Sequence, residues 1–242
     1  MERDHRIVER EYRHASVPYQ FQWNIINHRE LGKVKGDLAA LWAHLETVRD
    51  GGIPTEPFSS PFYARASSLR FESMSKAQLV GLRKRLMKNG YIIRDLENEL
   101  VEQIRHYHRE LGDNSYRANH SILREFLSHD TNAIAVEVPV WSTKHSISGH
   151  IDLVRYADGA IQVCDYKPGR LDKTATRFTK SIPQVAAYGE MMAHRLAVPL
   201  REALDASRLP AIECCIFDSH SCWKFGAELF INLLASEMIS GV

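Results

Sequence analysis

Gly149-His150-Ile151-Asp152-Leu153-Val154-Arg155-Tyr156-Ala157-Asp158-Gly159-Ala160-Ile161-Gln162-Val163-Cys164-Asp165-Tyr166-Lys167 reads as two alternating strands folded on each other. Asp-Gly between such runs is among the stronger short hairpin signals, because both residues tolerate the left-handed backbone of a tight turn. A two-residue loop there sets Ala157 against Ala160 and, counting back, Asp152 against Asp165. Directly opposed side chains share a face with Cβ atoms about 4.5–5.5 Å apart, where like charges cost roughly 0.2–1 kcal/mol. Lys167 lies two residues past Asp165 and projects from the same face, while Ile151 and Leu153 supply the apolar side. A purely structural role would not choose to oppose two carboxylates. A divalent cation between them reverses the sign of the interaction, and carboxylate oxygens suit Mg²⁺ or Mn²⁺. The competing reading is a solvated face on which Asp165 and Lys167 form an ion pair with nothing bound.

Around this hairpin the texture is that of a mixed chain. Ala133 to Trp141 is a third β-branched, alternating run, and Ile212 to Phe217 and Cys222 to Phe225 form a second hairpin around Asp218-Ser219-His220-Ser221. Between the hairpins, residues 183–197 read as a helix with Pro183 in its first turn, and Ala227 to Ile239 closes the chain as an amphipathic helix. The first 130 residues read mainly as helix. Leu38, Leu41, Trp42 and Leu45 recur at helical spacing and Gly51-Gly52 stops that run. Residues 53–62, with three Pro and two Ser, read as a loop. Ser75 opens a helix with a capping-box spacing to Gln78 and Asn89-Gly90 ends it; helices near 95–111 and 116–128 follow. The expected division is a helical region over 1–130 and an α/β core over 131–242.

Bulk properties narrow the class. In 242 residues, 44% hydrophobic and 25% charged, a core can be buried and wholesale disorder is excluded. The 31 Lys plus Arg stand against 30 Asp plus Glu, so the net charge of +1 carries no global sign of a polyanionic partner, which must be sought in local patches. No apolar run is long enough for a membrane span, and the charged start Met1-Glu2-Arg3-Asp4-His5-Arg6 is not that of a signal peptide, so the expected location is cytoplasmic or another intracellular, DNA-containing compartment. The four Cys form no CxxC pair and read as reduced packing thiols, with Cys214 and Cys215 on opposite faces of a strand.

Gly149-His150-Ile151-Asp152, Asp165-Tyr166-Lys167 and Gln184-Val185-Ala186-Ala187-Tyr188 resemble the GxxD, DxK and QxxxY motifs of the RecB-like branch of the PD-(D/E)xK nucleases, which includes lambda-type exonucleases and the nucleases of CRISPR adaptation. The resemblance covers roughly residues 133–230. It implies an α/β (α+β), restriction-endonuclease-like core with a central mixed sheet flanked by helices. It also implies hydrolysis of DNA phosphodiester bonds, with Asp152 and Asp165 binding Mg²⁺ or Mn²⁺, helped by the main-chain carbonyl of Tyr166. Lys167 would orient or deprotonate the attacking water. Gln184 and Tyr188, one helical turn apart, would brace the site or touch the DNA backbone; alone, they would read as a polar helix face. Glu137, in Val136-Glu137-Val138-Pro139, resembles the acid that often precedes GxxD. It is either a metal or supporting ligand or the solvent-facing member of an alternating strand. Arg170, Lys173, Arg177 and Lys180 suit phosphate contacts, or form a charged loop with no ligand.

The pattern departs from the branch in two places. Exonucleolytic members carry a metal-binding His on an earlier helix. Here Gly32 to Gly36 has Gly where that His belongs, and His106, His108 and His120 lack the surrounding motif, so the ligand stays unassigned. With no Cys before 164, the iron–sulfur cluster of some CRISPR-type members is not expected. Residues 75–104, with Arg83, Lys84, Arg85 and Lys88, also resemble a SAP-type DNA-binding hairpin. Asp95 and Glu97 replace its usual Gly and Lys, and a helical hairpin packed on the core is the preferred reading. From another class, the rival to a nuclease is an inactive nucleic-acid-binding or scaffolding protein of the same fold.

Overall fold

A computed structural model describes residues 7–35, 38–71, 73–111, 121–171, 176–202 and 211–229. The elements in chain order are β1 (Ile7–His14), β2 (Val17–Asn24), α1 (Ile25–Lys35), α2 (Ala39–Asp50), α3 (Glu56–Ser59), β3 (Ala64–Arg65), α4 (Lys76–Lys88), β4 (Ile92–Asp95), α5 (Glu99–Leu111) and α6 (Leu123–His129). They continue with β5 (Ala133–Ser142), β6 (Ile147–Ala157), β7 (Ala160–Tyr166), α7 (Arg177–Glu202), β8 (Ala211–Phe217) and β9 (Cys222–Gly226). One nine-stranded mixed sheet runs β1-β2-β5-β6-β7-β8-β9-β4, with β3 lying parallel beside the start of β6.

The hairpin register is the expected one. Asp158 and Gly159 both have positive φ, and the β6–β7 ladder pairs Ala157 with Ala160 through Leu153 with Cys164. Chain returning from α7 adds β8 parallel to β7, and β9 folds back on β8. Helices cover both faces. On one, Leu41 and Leu45 of α2 and Met191 and Met192 of α7 pack on Val138, Ile151 and Val163. Next to them Leu82 and Leu86 of α4 meet Ile182, Ile216 and Phe225. On the other face, Leu100 and Ile104 of α5 and Phe126 and Leu127 of α6 cover Leu153, Cys164, Cys215 and Phe217. Cys214 and Cys215 fall in different clusters, as strand alternation requires, and all four Cys are buried free thiols.

Several expectations need correcting. Residues 7–24 form an antiparallel hairpin rather than helix, and Gln22 and Trp23 attach it to β5. The charged run Glu9-Arg10-Glu11 hides the strand because β1 is an edge, where polar side chains are tolerated on both faces. Ile92–Asp95 is a sheet-edge strand paired with β9 instead of the turn of a helical hairpin. Asn89-Gly90 ends α4 at Lys88 as expected, and the β-branched pair Ile92-Ile93 then finds a partner. Thus strands from the first 130 residues share the sheet with those that follow. Helix α7 begins at Arg177 and not at 183, its first turn closed by Lys180 N–H on the Thr176 carbonyl. Pro183 therefore sits inside the helix and leaves one carbonyl without its usual donor. Residues 53–62 contain the single turn α3, and the expected closing helix lies outside the described residues from 230 onward. The Ser75–Gln78 capping box and the Gly51 stop, at φ 80°, are as expected.

The turn end of the central hairpin is pinned by charge. Arg155, 2% exposed, lies 3.2 Å from Asp130 at the α6–β5 junction and 2.6 Å from Glu99 at the start of α5. Removing one member of a buried pair strands the other, whereas replacing both with apolar groups is often nearly neutral. We expect Asp130→Leu to lower stability in urea by about 3 kcal/mol, and the double variant Asp130→Leu/Arg155→Met to lose less. Equal losses would show that the pair does not act as a unit.

Candidate active site

The β5–β6 ladder pairs Val136 with Leu153 and Val138 with Ile151, so Glu137 stands at the level of Asp152. One strand further, the hairpin register brings Asp165 to the same level. Three carboxylates therefore line up across β5, β6 and β7. The ladders give way where they do: Glu137 has φ 53°, a left-handed conformation costly for any residue with a Cβ. Val136 and Leu153 belong to the cluster under α5 and α6, Val138 and Ile151 to the one under α2 and α7, so the strand pair changes face across this level. Ile151 and Leu153 accordingly do not share the single apolar face expected of them. Beyond Leu153–Cys164 a side chain takes over from the ladder, with Tyr166 N–H donating to Asp152 Oδ2 at 2.9 Å.

Lys167 Nζ lies 2.7 Å from Asp165 Oδ2. Gln184, on α7, accepts from Lys167 Nζ at 3.2 Å through Oε1, while its Nε2 donates to Asp165 Oδ1 at 3.2 Å and to the Tyr188 hydroxyl at 3.0 Å. The helical spacing of Gln184 and Tyr188 thus fixes both the ammonium and the carboxylate from above. Gly149 makes room for this arrangement, since a Cβ there would stand 2.4 Å from a Tyr188 ring carbon and 3.2 Å from Ala66 Cβ.

Burial, reinforced by neighbouring like charge, governs the electrostatics. Burial raises Asp152 well above the usual carboxylate range, Asp165 and Glu137 push it further, and Lys167 and the Tyr166 N–H oppose them. Burial likewise pushes Glu137 up to about 7, with Arg124 pulling it down and Asp165 raising it. Among the described residues, Asp165 Oδ2 accepts no aligned hydrogen bond and pairs with Lys167 alone. Such a donor set fits a hard divalent cation. Among the described residues no three His, Cys, Asp or Glu form a ready-made metal cage, so two carboxylates, a main-chain oxygen and water would hold the ion, as Mg²⁺ prefers.

The cavity beside these groups, about 400 Å³, is also bordered by Glu137, Tyr166, Arg177, Gln184 and Tyr188. Arg177 is anchored by its guanidinium to the carbonyls of Pro168, at 2.6 Å, and Arg170, at 2.9 Å. Arg170 and Lys180 are exposed and outside the cavity wall, and Lys173 lies outside the described residues. So does His120. His108 is on the opposite side of the sheet, where its Nε2 pairs with the Tyr166 hydroxyl at 3.0 Å, and His106 is exposed on the same helix. The imidazoles that do border the cavity are His14 of β1 and His150 of β6, with Tyr19, Arg65 and Ser67. Sequence reasoning missed all five. His150 was within reach, standing two residues from Asp152; the others arrive through long-range pairing of β1, β2 and β3.

A family model described as the PD-(D/E)XK nuclease superfamily matches residues 5–213. The chain belongs to that superfamily, and the nine-stranded mixed sheet between helical layers is its restriction-endonuclease-like fold. Its function is accordingly of the nuclease type with a nucleic acid as substrate, and nucleases of this superfamily generally use divalent metals. No curated protein and no solved structure matched the chain. Among the described residues no helix is long and apolar enough to cross a membrane.

Gly149→Ala should cost about 1–3 kcal/mol by overpacking against Tyr188, and Tyr188→Leu in the same chain should recover part of that loss in urea unfolding. A second expectation concerns pH. Glu137 in the metal-free folded protein keeps its proton up to about 7, whereas the ordinary value is 4.5. The folded state then binds more protons between those values, so the stabilising contribution is full below 4.5 and is lost as pH rises through 7. In EDTA, the melting temperature of the wild type relative to Glu137→Gln should fall over that interval. A constant difference would refute the shift.

Proposed function

We propose that the protein is a metal-dependent deoxyribonuclease that hydrolyses phosphodiester bonds, with Asp152, Asp165 and Lys167 as its catalytic residues. The observation that carries this reading is the ammonium of Lys167 held 2.7 Å from Asp165 and steered by Gln184, beside a row of three carboxylates. Asp152 and Asp165 would hold Mg²⁺ or Mn²⁺ with the Tyr166 carbonyl, and Glu137 would support them. When bound, the cation supplies Lewis acidity toward the phosphoryl oxygen and makes a coordinated water easier to deprotonate.

The chain's own groups do the rest. Lys167 orients the attacking water and offsets charge as it builds on the phosphoryl oxygens. Gln184 keeps the ammonium beside Asp165, so the water is met at a fixed place instead of by a mobile side chain. Arg177, tied down by two carbonyls, presents its guanidinium to the strand's backbone, and Arg170, Lys173 and Lys180 are further candidates for phosphate contacts. The GxxD, DxK and QxxxY spacing favours the RecB-like branch. An exonuclease or a single-strand or flap-type nuclease of repair, recombination or mobile-element processing fits that branch, and the segments upstream of 131 would shape the groove.

Linear, circular, single- and double-stranded DNA, with RNA for comparison, incubated with Mg²⁺ or Mn²⁺ and in an EDTA control, tests the proposal. Cleavage should need the metal, and Lys167→Ala and Asp165→Asn should each slow it by about 10²–10⁴. Wild type that binds DNA yet leaves every substrate intact with either metal would return the protein to the class of inactive binders.

A further inference from the structure

One end of the catalytic cavity is built from groups that the reaction above leaves unused. There the wall consists of His14, Tyr19, Arg65, Ser67 and His150. His150 is 6% exposed, its ring stacked on Tyr19 with centroids 3.7 Å apart and set edge-on to His14 at 5.0 Å. Among the described residues its Nε2 has no hydrogen-bond partner. Leaving a buried donor or acceptor unpaired costs roughly 1–3 kcal/mol, and such groups are rare unless something else satisfies them. Arg65 gives one N–H to the His14 carbonyl at 2.9 Å, which fixes its planar fork against the cavity. The Ser67 residue is exposed beside it.

A guanidinium fork, a hydroxyl and an imidazole N–H together match the oxygens of a phosphate group better than a base or a sugar, which would ask for acceptors as well as donors. Position supplies the second constraint. His150 is two residues along β6 from Asp152, roughly 6–7 Å at the rise of a strand, close to the step between successive phosphates of one nucleic-acid strand. We infer that this end of the cavity is a subsite for the substrate phosphate next to the scissile one, held by Arg65, Ser67 and the His150 ring. The inference rests on the nuclease reading above. That neighbouring phosphate is either an internal diester, with the strand running through, or the terminal monoester of a strand end.

Both sources can be tried with the full chain carrying Lys167→Ala, which holds cleavage off while anisotropy measures DNA affinity. Short oligonucleotides would carry one neutral methylphosphonate linkage at successive positions, each made with and without terminal phosphates. One neutral position, or loss of one terminal phosphate, should weaken binding about tenfold when Arg65 is present and have little effect once Arg65→Gln is added. Glutamine keeps a donor for the His14 carbonyl; should that variant fail to fold by circular dichroism, Ser67→Ala, at an exposed position, takes its place in the cycle. An effect confined to the terminal phosphate assigns the subsite to a strand end, and one at an internal linkage assigns it to a strand in passage. If every substitution weakens binding equally with and without Arg65, the subsite does not exist. Failure of the nuclease reading looks different: the Arg65-dependent position would persist while the wild type cleaves nothing.

Discussion

Three acids held together against their own repulsion are the constraint around which this fold is arranged. Glu137, Asp152 and Asp165 come from adjacent strands at one level of the sheet, two of them lifted above their ordinary titration range. Regular strand pairing would bury such a row in one of the two cores. Here the pairing yields instead. Glu137 adopts a left-handed backbone, the β5–β6 pair changes face across it, and Asp152 captures the N–H of Tyr166 with its side chain. The local cost of these departures, of order 1–3 kcal/mol for the left-handed residue, is borne by the apolar clusters on either side, which continue unbroken above and below.

Helix α7 turns that row into a site of defined geometry. Gln184 joins Lys167, Asp165 and Tyr188, and Tyr188 can approach only because Gly149 has no side chain. Each motif residue thereby has a mechanical reason for its spacing. The glycine admits a ring, the glutamine one turn before that ring reaches the strand, and the lysine two residues past the aspartate falls beneath the glutamine. Replacing any one should change where the ammonium sits relative to the carboxylates, a distance on which proton transfer and charge stabilisation would depend steeply in the proposed reaction.

How much of this could be read beforehand depended on the range of the interactions. The Asp158-Gly159 turn, the register it dictates and the pairing of Gln184 with Tyr188 are local, and local chemistry determines them. The start of α7 was misplaced because Pro183 suggested a first turn, while Arg177 to Ile182 are held in helix by packing of Phe178 and Ile182 on the sheet. Strands β1 and β4 are hidden for another reason: edge strands need alternate on only one side, and the partners that complete them, Val17 to Asn24 and Cys222 to Phe225, read as helix or are remote in sequence. The same limit applied to the site. Its carboxylates and lysine lie within one hairpin, but His14, Tyr19, Arg65 and Ser67 reach the cavity through pairings that no short window contains.

That division has a thermodynamic consequence. A row of carboxylates repels a phosphate as surely as it attracts a cation, so on the proposed reading the cavity would be divided between an end hostile to the strand and an end with Arg65 that favours it. On the proposed nuclease reading, a cation held by Asp152 and Asp165 would remove that hostility, and a bound phosphate would offer the cation further oxygens. The two events would then strengthen each other, and linkage would require the factor to be the same in both directions. Near-neutral overall charge adds little long-range attraction to this. On that reading, selectivity for the strand would arise within the cavity, from the coupling between its two ends and not from the field of the whole molecule.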